Sequence, residues 1–99
     1  MLSGSDIERT RKALGLTQMQ LSSVLGIHDR TLYRWEADGF FRAHTDTAAL
    51  VLQWLIGLDE GTLERWSRSI RTKLATNHVI ECQLELHLAV LSSHRSATR

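Results

Sequence analysis

The chain has 99 residues, of which 42% are hydrophobic and 23% charged, with 12 Lys+Arg against 11 Asp+Glu. This composition supports one compact domain with a short extension and excludes wholesale disorder. A net charge of +1 excludes a nonspecific polycation, so any affinity for nucleic acid must come from charge focused on one face. The one cysteine, Cys82, cannot form an intramolecular disulfide, which fits a reducing, cytoplasmic compartment. The opening MLSGSDIERT lacks the apolar run of a signal peptide, and no membrane association is expected.

In chain order, Ser5 with Glu8 has the spacing of a capping box, and the first helix should end near Gly15. Thr17 with Gln20 repeats the pattern for a second helix ending near Gly26, where a residue without Cβ can turn left-handed. A third helix should start at His28 or Asp29 and stop near Gly39, with Asp29 placed to suit the helix dipole. Phe40 to His44 reads as a loop. Thr45 or Asp46 can cap a fourth helix running to about Leu58, with Leu50, Trp54 and Leu58 on one face. Its stretch from Ala48 is the most apolar of the chain. Gln53 interrupts it, and it is too short for a membrane span.

Asp59 to Gly61 is a turn, and Thr62 can open a fifth helix. Leu63, Trp66, Ile70 and Leu74 form a narrow apolar seam there, suited to packing against another helix. The segment Asn77 to Leu91 carries two signals. Ile80, Cys82, Leu84, Leu86, Leu88 and Val90 alternate as in a strand, yet Glu81, Gln83, Leu84 and Glu85 favour helix. A helix is the preferred reading, with Glu81, Glu85, Ala89 and Ser92 on its exposed side. A single strand would have to pair with the same segment of a second chain. Ser92 to Arg99 reads as a frayed polar tail.

Leu14 to Glu36, LGLTQMQLSSVLGIHDRTLYRWE, is the most informative stretch. Two short amphipathic helices flank a tight turn, and the second turns its polar side chains into a probe, the layout of a helix-turn-helix. Leu21, Leu25, Leu32 and Trp35 can wedge the pair together, with small Ser22 where the helices cross. Leu16-Thr17-Gln18, Leu21-Ser22, Leu25-Gly26-Ile27, Thr31-Leu32 and Trp35-Glu36 resemble the Cro/phage-repressor (XRE-type) helix-turn-helix family, without a gap from Leu14 to Glu36. Ala37 and Asp38 ahead of Gly39, and the missing downstream proline, depart from its pattern.

The resemblance implies an all-α, lambda-repressor-like bundle of about four helices at residues 5–58. It also implies an Arg11–Glu36 ion pair tying the first helix to the third. Carried across position by position, Gln18 and Thr31 become phosphate contacts. His28, Asp29, Arg30 and Arg34 face bases, and Tyr33 meets a thymine methyl or a phosphate. Arg42 in the following loop joins this DNA-binding set. Arg30 and Arg34 suit guanine O6 and N7, while Asp29 suits cytosine N4 or the orientation of a neighbouring arginine.

Other constellations weigh less. Arg65, Arg68, Arg71 and Lys73 read as a solvated helix face rather than a DNA contact. His78, Cys82 and His87 lack the further ligands of a zinc site, so no metal or cofactor is expected. No Gly-rich phosphate loop, paired-carboxylate site or nucleophile motif appears, so an enzyme is not expected. The expectation is a transcriptional regulator, a repressor that binds double-stranded DNA as a homodimer on an inverted repeat. Residues 59–99 form its dimerisation extension, helical or one-stranded, through Leu63, Trp66, Ile70, Leu74, Leu84, Leu88 and Leu91. The alternative is an antitoxin-like adaptor whose C-terminal segment binds a partner protein.

Overall fold

The computed structural model describes residues 3–39 and 47–97, with side chains as far as Ser93. Six helices follow in order: α1 (Gly4–Ala13), α2 (Gln18–Leu25), α3 (Asp29–Asp38), α4 (Thr47–Ile56), α5 (Glu60–Ala75) and α6 (Val79–Ala97). The described residues include no strand, so the fold is all-α. The Phe40–His44 loop, the Thr45 or Asp46 cap and Arg42 lie outside the described residues.

Local chemistry sets the helix ends. Ser3, not Ser5, caps α1 and accepts from the Asp6 amide at 3.1 Å. The reason is tertiary: a Cβ on Gly4 would overlap the Glu36 carbonyl, so α1 begins on the glycine that lets its backbone meet the end of α3. Thr17 and Gln20 make a reciprocal capping box at α2. Asp59, rather than Thr62, caps α5 by accepting from the Thr62 amide. Bonding to Thr62 also holds the Asp59 carboxyl below the usual carboxylate range.

One closing motif ends α1, α2 and α5. Leu16 bonds back to the Arg11 carbonyl, Ile27 to Ser22 and His78 to Lys73, each with a left-handed residue before it: Gly15 (φ 72°), Gly26 (φ 74°) and Asn77 (φ 62°). Asparagine tolerates that region better than most residues with a Cβ, so the α5–α6 turn forms without glycine.

Val79 to Leu91 is helical because Cys82, Leu86 and Val90, four apart, all bury into the core, and Asn77 belongs to the preceding turn. Ile80, Leu84, Leu88 and Leu91 form a second apolar face that remains 56–72% exposed. Two apolar faces on one helix produce the alternation that mimics a strand. The helix also continues to Ala97, beyond Leu91, after which the polar composition suggests that a tail begins.

One hydrophobic cluster unites the chain. Ile7, Leu14, Leu21, Leu25, Leu32 and Leu52 share it with Ile70 of α5 and Cys82, Leu86 and Val90 of α6. Residues beyond Gly61 therefore complete the core rather than hang from it. Two polar links cross the same junction: Ser67 Oγ donates to the Leu14 carbonyl at 2.7 Å, and Gln83 Nε2 to the Ser23 carbonyl at 2.8 Å. The α5 seam packs in part within the chain. Ile70 is fully buried, Leu63, Trp66 and Leu74 pack against the cluster, and Trp66 meets Trp54 edge to face at 5.4 Å. Ile70 is thus unavailable to a second copy, because its own core already surrounds it.

Candidate nucleic-acid interface

The α2–α3 unit is held from beneath by apolar packing and from one side by a polar brace. Leu21, Ser22, Val24 and Leu25 of α2 and Leu32 and Trp35 of α3 are buried. Ser22 is small enough for the crossing, and its hydroxyl is satisfied by the Met19 carbonyl at 2.8 Å. The brace centres on Glu36. Arg11 donates to both of its carboxylate oxygens, at 2.8 and 3.2 Å, and Gln18 Nε2 donates to one of them at 3.1 Å. Arg11 also donates to the Leu16 carbonyl at 3.1 Å. The ion-paired side chains are only 14% and 6% exposed. One carboxylate thereby ties α1, the start of α2 and the end of α3 together, and a two-pronged guanidinium fixes the geometry.

The opposite side of α3 is open. His28, Asp29, Arg30, Tyr33 and Arg34 are exposed, Tyr33 by 65%, and Thr31 is half-buried. No partner for the Arg30 or Arg34 guanidinium appears among the described residues. Gln18 differs from its neighbours in the DNA-binding set because one amide N–H is already committed to Glu36. Its second N–H is left for an outside acceptor.

His28 caps α3. Its Nδ1 lies 3.1 Å from the Arg30 amide and 2.9 Å from Asp29 Oδ1. One nitrogen cannot accept from the amide and donate to the carboxylate at once. Neutral His28 with the proton on Nε2 serves as the cap, and protonated His28 pairs with Asp29. Both forms present an Nε2–H donor. The Asp29 carboxylate thus gains His28 as a partner only when the imidazole is protonated.

The Gly4 approach and the Gln18–Glu36 bond were not legible from the linear pattern. Nothing in the local sequence marks Gly4 as a contact point for α3, and Gln18 carries no local signal of a partner eighteen residues away. His78, Cys82 and His87 do not converge. His78 Nδ1 bonds the Thr76 hydroxyl at 2.8 Å, while burial of Cys82 pushes its thiol pKa up. No group of three His, Cys, Asp or Glu side chains among the described residues can hold a metal ion. Among the described residues, no helix is long and apolar enough to cross a membrane.

A family model for the helix-turn-helix matches residues 7–44, which take in most of α1, all of α2 and α3, and the brace. Residues 7–44 are a helix-turn-helix domain of the Cro/phage-repressor (XRE) type. This helix-turn-helix is a DNA-binding regulatory domain. No curated protein and no solved structure matches the chain.

Proposed function

We propose that this protein represses transcription as a homodimer bound to an inverted-repeat operator. The observation carrying the DNA reading is the outward face of α3: Arg30, Tyr33 and Arg34 stand exposed on a helix braced from behind by Arg11, Gln18 and Glu36. A braced helix whose guanidinium groups have no partner among the described residues suits bidentate recognition of guanine in the major groove. His28 adds a donor at its N-terminal end, matched to acceptors such as guanine N7. Asp29 opposes sites that would crowd it with acceptors.

One such module reads too few bases to be selective, and a two-fold dimer places two reading helices about one DNA turn apart. The surface offered for pairing is the outer face of α6. Ile80, Leu84, Leu88 and Leu91 span about 16 Å of helix at 1.5 Å per residue. A row of this kind exposed on an isolated monomer favours an interface. Ile80 joins Leu84, Leu88 and Leu91 in this role. Ile70 of the α5 seam does not, since its own core surrounds it.

Selection of bound fragments from a random duplex pool tests the reading. Recovery of a two-fold symmetric site is expected, and no enrichment at low salt would refute it. Light scattering of the wild type and of a Leu84→Glu/Leu88→Glu variant tests the pairing. A dimer converted to a folded monomer is expected, and a wild-type monomer at micromolar concentration contradicts it.

A further inference from the structure

Outside the matched domain, α5 carries Arg65, Arg68, Arg71 and Lys73, and the fold distinguishes them by what neutralises each. Arg68 pairs with Glu64 at 3.2 Å. Lys73 pairs with Glu85 of α6 at 3.0 Å, a bond that raises the lysine pKa. Arg65 donates to the Thr62 hydroxyl at 3.2 Å and feels the Asp59 carboxylate. Arg71 is exposed, and its guanidinium has neither a carboxylate nor a hydrogen-bond acceptor among the described residues.

The same division holds elsewhere. Arg9 pairs with Asp6, Arg11 with Glu36 and Lys12 with Glu8. Arg30 and Arg34, on the open face of α3, are like Arg71 unpaired among the described residues. In a chain of net charge +1, uncompensated guanidinium groups mark where positive potential is left for a partner.

Arg71 does not project at random. Its Cδ and Nη1 lie 3.5 Å from where a Gly15 Cβ would stand, so the side chain rests on the α1–α2 turn. Ser67, one helical turn earlier on the same face of α5, holds the helix across that turn through the Leu14 carbonyl. The turn leads directly into Thr17 and Gln18, the edge of the DNA-binding domain. Gly15 supplies the left-handed conformation of that turn, and the Arg71 side chain lies within van der Waals reach of it.

We propose that Arg71 is a DNA-phosphate contact, extending the nucleic-acid surface from the helix-turn-helix onto α5. The proposal rests on the DNA reading above. A guanidinium matches phosphate geometry in two-pronged fashion, and a phosphate contact adds affinity without reading sequence. Arg71 then anchors the domain on the duplex while Arg30 and Arg34 discriminate.

The test uses the full chain and three variants, Arg71→Met, Arg71→Lys and Arg34→Ala. Each is titrated against a mixed-sequence duplex of about 30 bp and against the selected site, over a range of salt. Arg71→Met keeps the aliphatic stem over Gly15. It should weaken binding to both duplexes by a similar factor, on the order of three- to tenfold, and reduce the salt slope by about one. Arg71→Lys should restore most of the loss, and thermal midpoints should stay at the wild-type value. Arg34→Ala should weaken the selected site more than the mixed duplex. Wild-type affinity and slope in Arg71→Met, with Arg34→Ala impaired, would overturn the α5 contact alone. Absence of duplex binding by the wild type would overturn the DNA reading and this contact with it.

Discussion

α3 and α6 each bury one face in the same core and present the other to solvent, but the outer faces are chemical opposites. α3 exposes His28, Asp29, Arg30, Tyr33 and Arg34 around an inner row of Leu32 and Trp35. α6 exposes Ile80, Leu84, Leu88 and Leu91 opposite Cys82, Leu86 and Val90. An ordinary surface helix carries solvated charge outside, as α1 does with its Lys12–Glu8 and Arg9–Asp6 pairs. Neither α3 nor α6 follows that rule. Among the described residues, α3 leaves its guanidinium groups uncompensated, which suits a polyanion, and α6 leaves aliphatic area uncovered, which suits an apolar surface. The core fixes how both are presented, so binding and pairing are expected to depend on one fold.

Substitutions on opposite faces of α6 sharpen the comparison most. Leu86→Ala removes a side chain that is 1% exposed and should cost about 2–5 kcal/mol in chemical denaturation. Leu88→Ala, at 64% exposed, should leave the intrinsic stability of the monomer unchanged within about 0.5 kcal/mol. Equal losses measured on dissociated protein would mean that α6 has no distinct outer face.

The brace behind α3 comes next. Glu36→Ala leaves Arg11, which is 14% exposed, without its carboxylate and frees the Gln18 amide. A loss of about 2–4 kcal/mol is expected, toward the buried end of the range for a broken ion pair. A loss under about 0.5 kcal/mol would reduce the brace to a surface pair. Gly4→Ala probes the same junction from α1. Its Cβ meets the Glu36 carbonyl, so the thermal midpoint should fall, whereas Gly61→Ala, with only a side-chain oxygen at 3.5 Å, should shift it far less.

Cys82 gives the smallest effect. Burial raises its thiol pKa, so the folded state favours the neutral form. That contribution is complete below the ordinary thiol range and is lost as pH rises through the raised folded value. Alkylation of native protein at mildly alkaline pH should therefore be slower than that of urea-unfolded protein. Equal rates would contradict burial of the α6 inner face.

The helix-turn-helix was legible in the sequence because its determinants are local. Thr17 and Gln20 cap each other, Gly26 turns the chain, and Leu21, Ser22, Leu25, Leu32 and Trp35 fall at fixed spacing. α6 was harder because apolar residues on both faces imitate the period of a strand, and only burial separates the roles of Leu86 and Leu88. Ser3 and Ser5 are equally able to cap α1. The choice between them depends on Gly4 meeting α3, a tertiary contact that no local pattern encodes. The α5 seam had the spacing of an interface, but the same pattern also fits an intramolecular groove, and the core takes up Ile70 while Leu63, Trp66 and Leu74 stay half-buried at its edge. Arg71 resembled its neighbours Arg68 and Lys73 until their partners on α5 and α6 were placed.

The most direct test of the central claim compares wild type with an Arg30→Ala/Arg34→Ala variant on the selected site and on a scrambled duplex of the same length. Removing the two exposed guanidinium groups should collapse the preference for the selected site while leaving the fold, read by circular dichroism, intact. Unchanged discrimination in the double variant would contradict the assignment of the outer face of α3 as the surface that reads DNA.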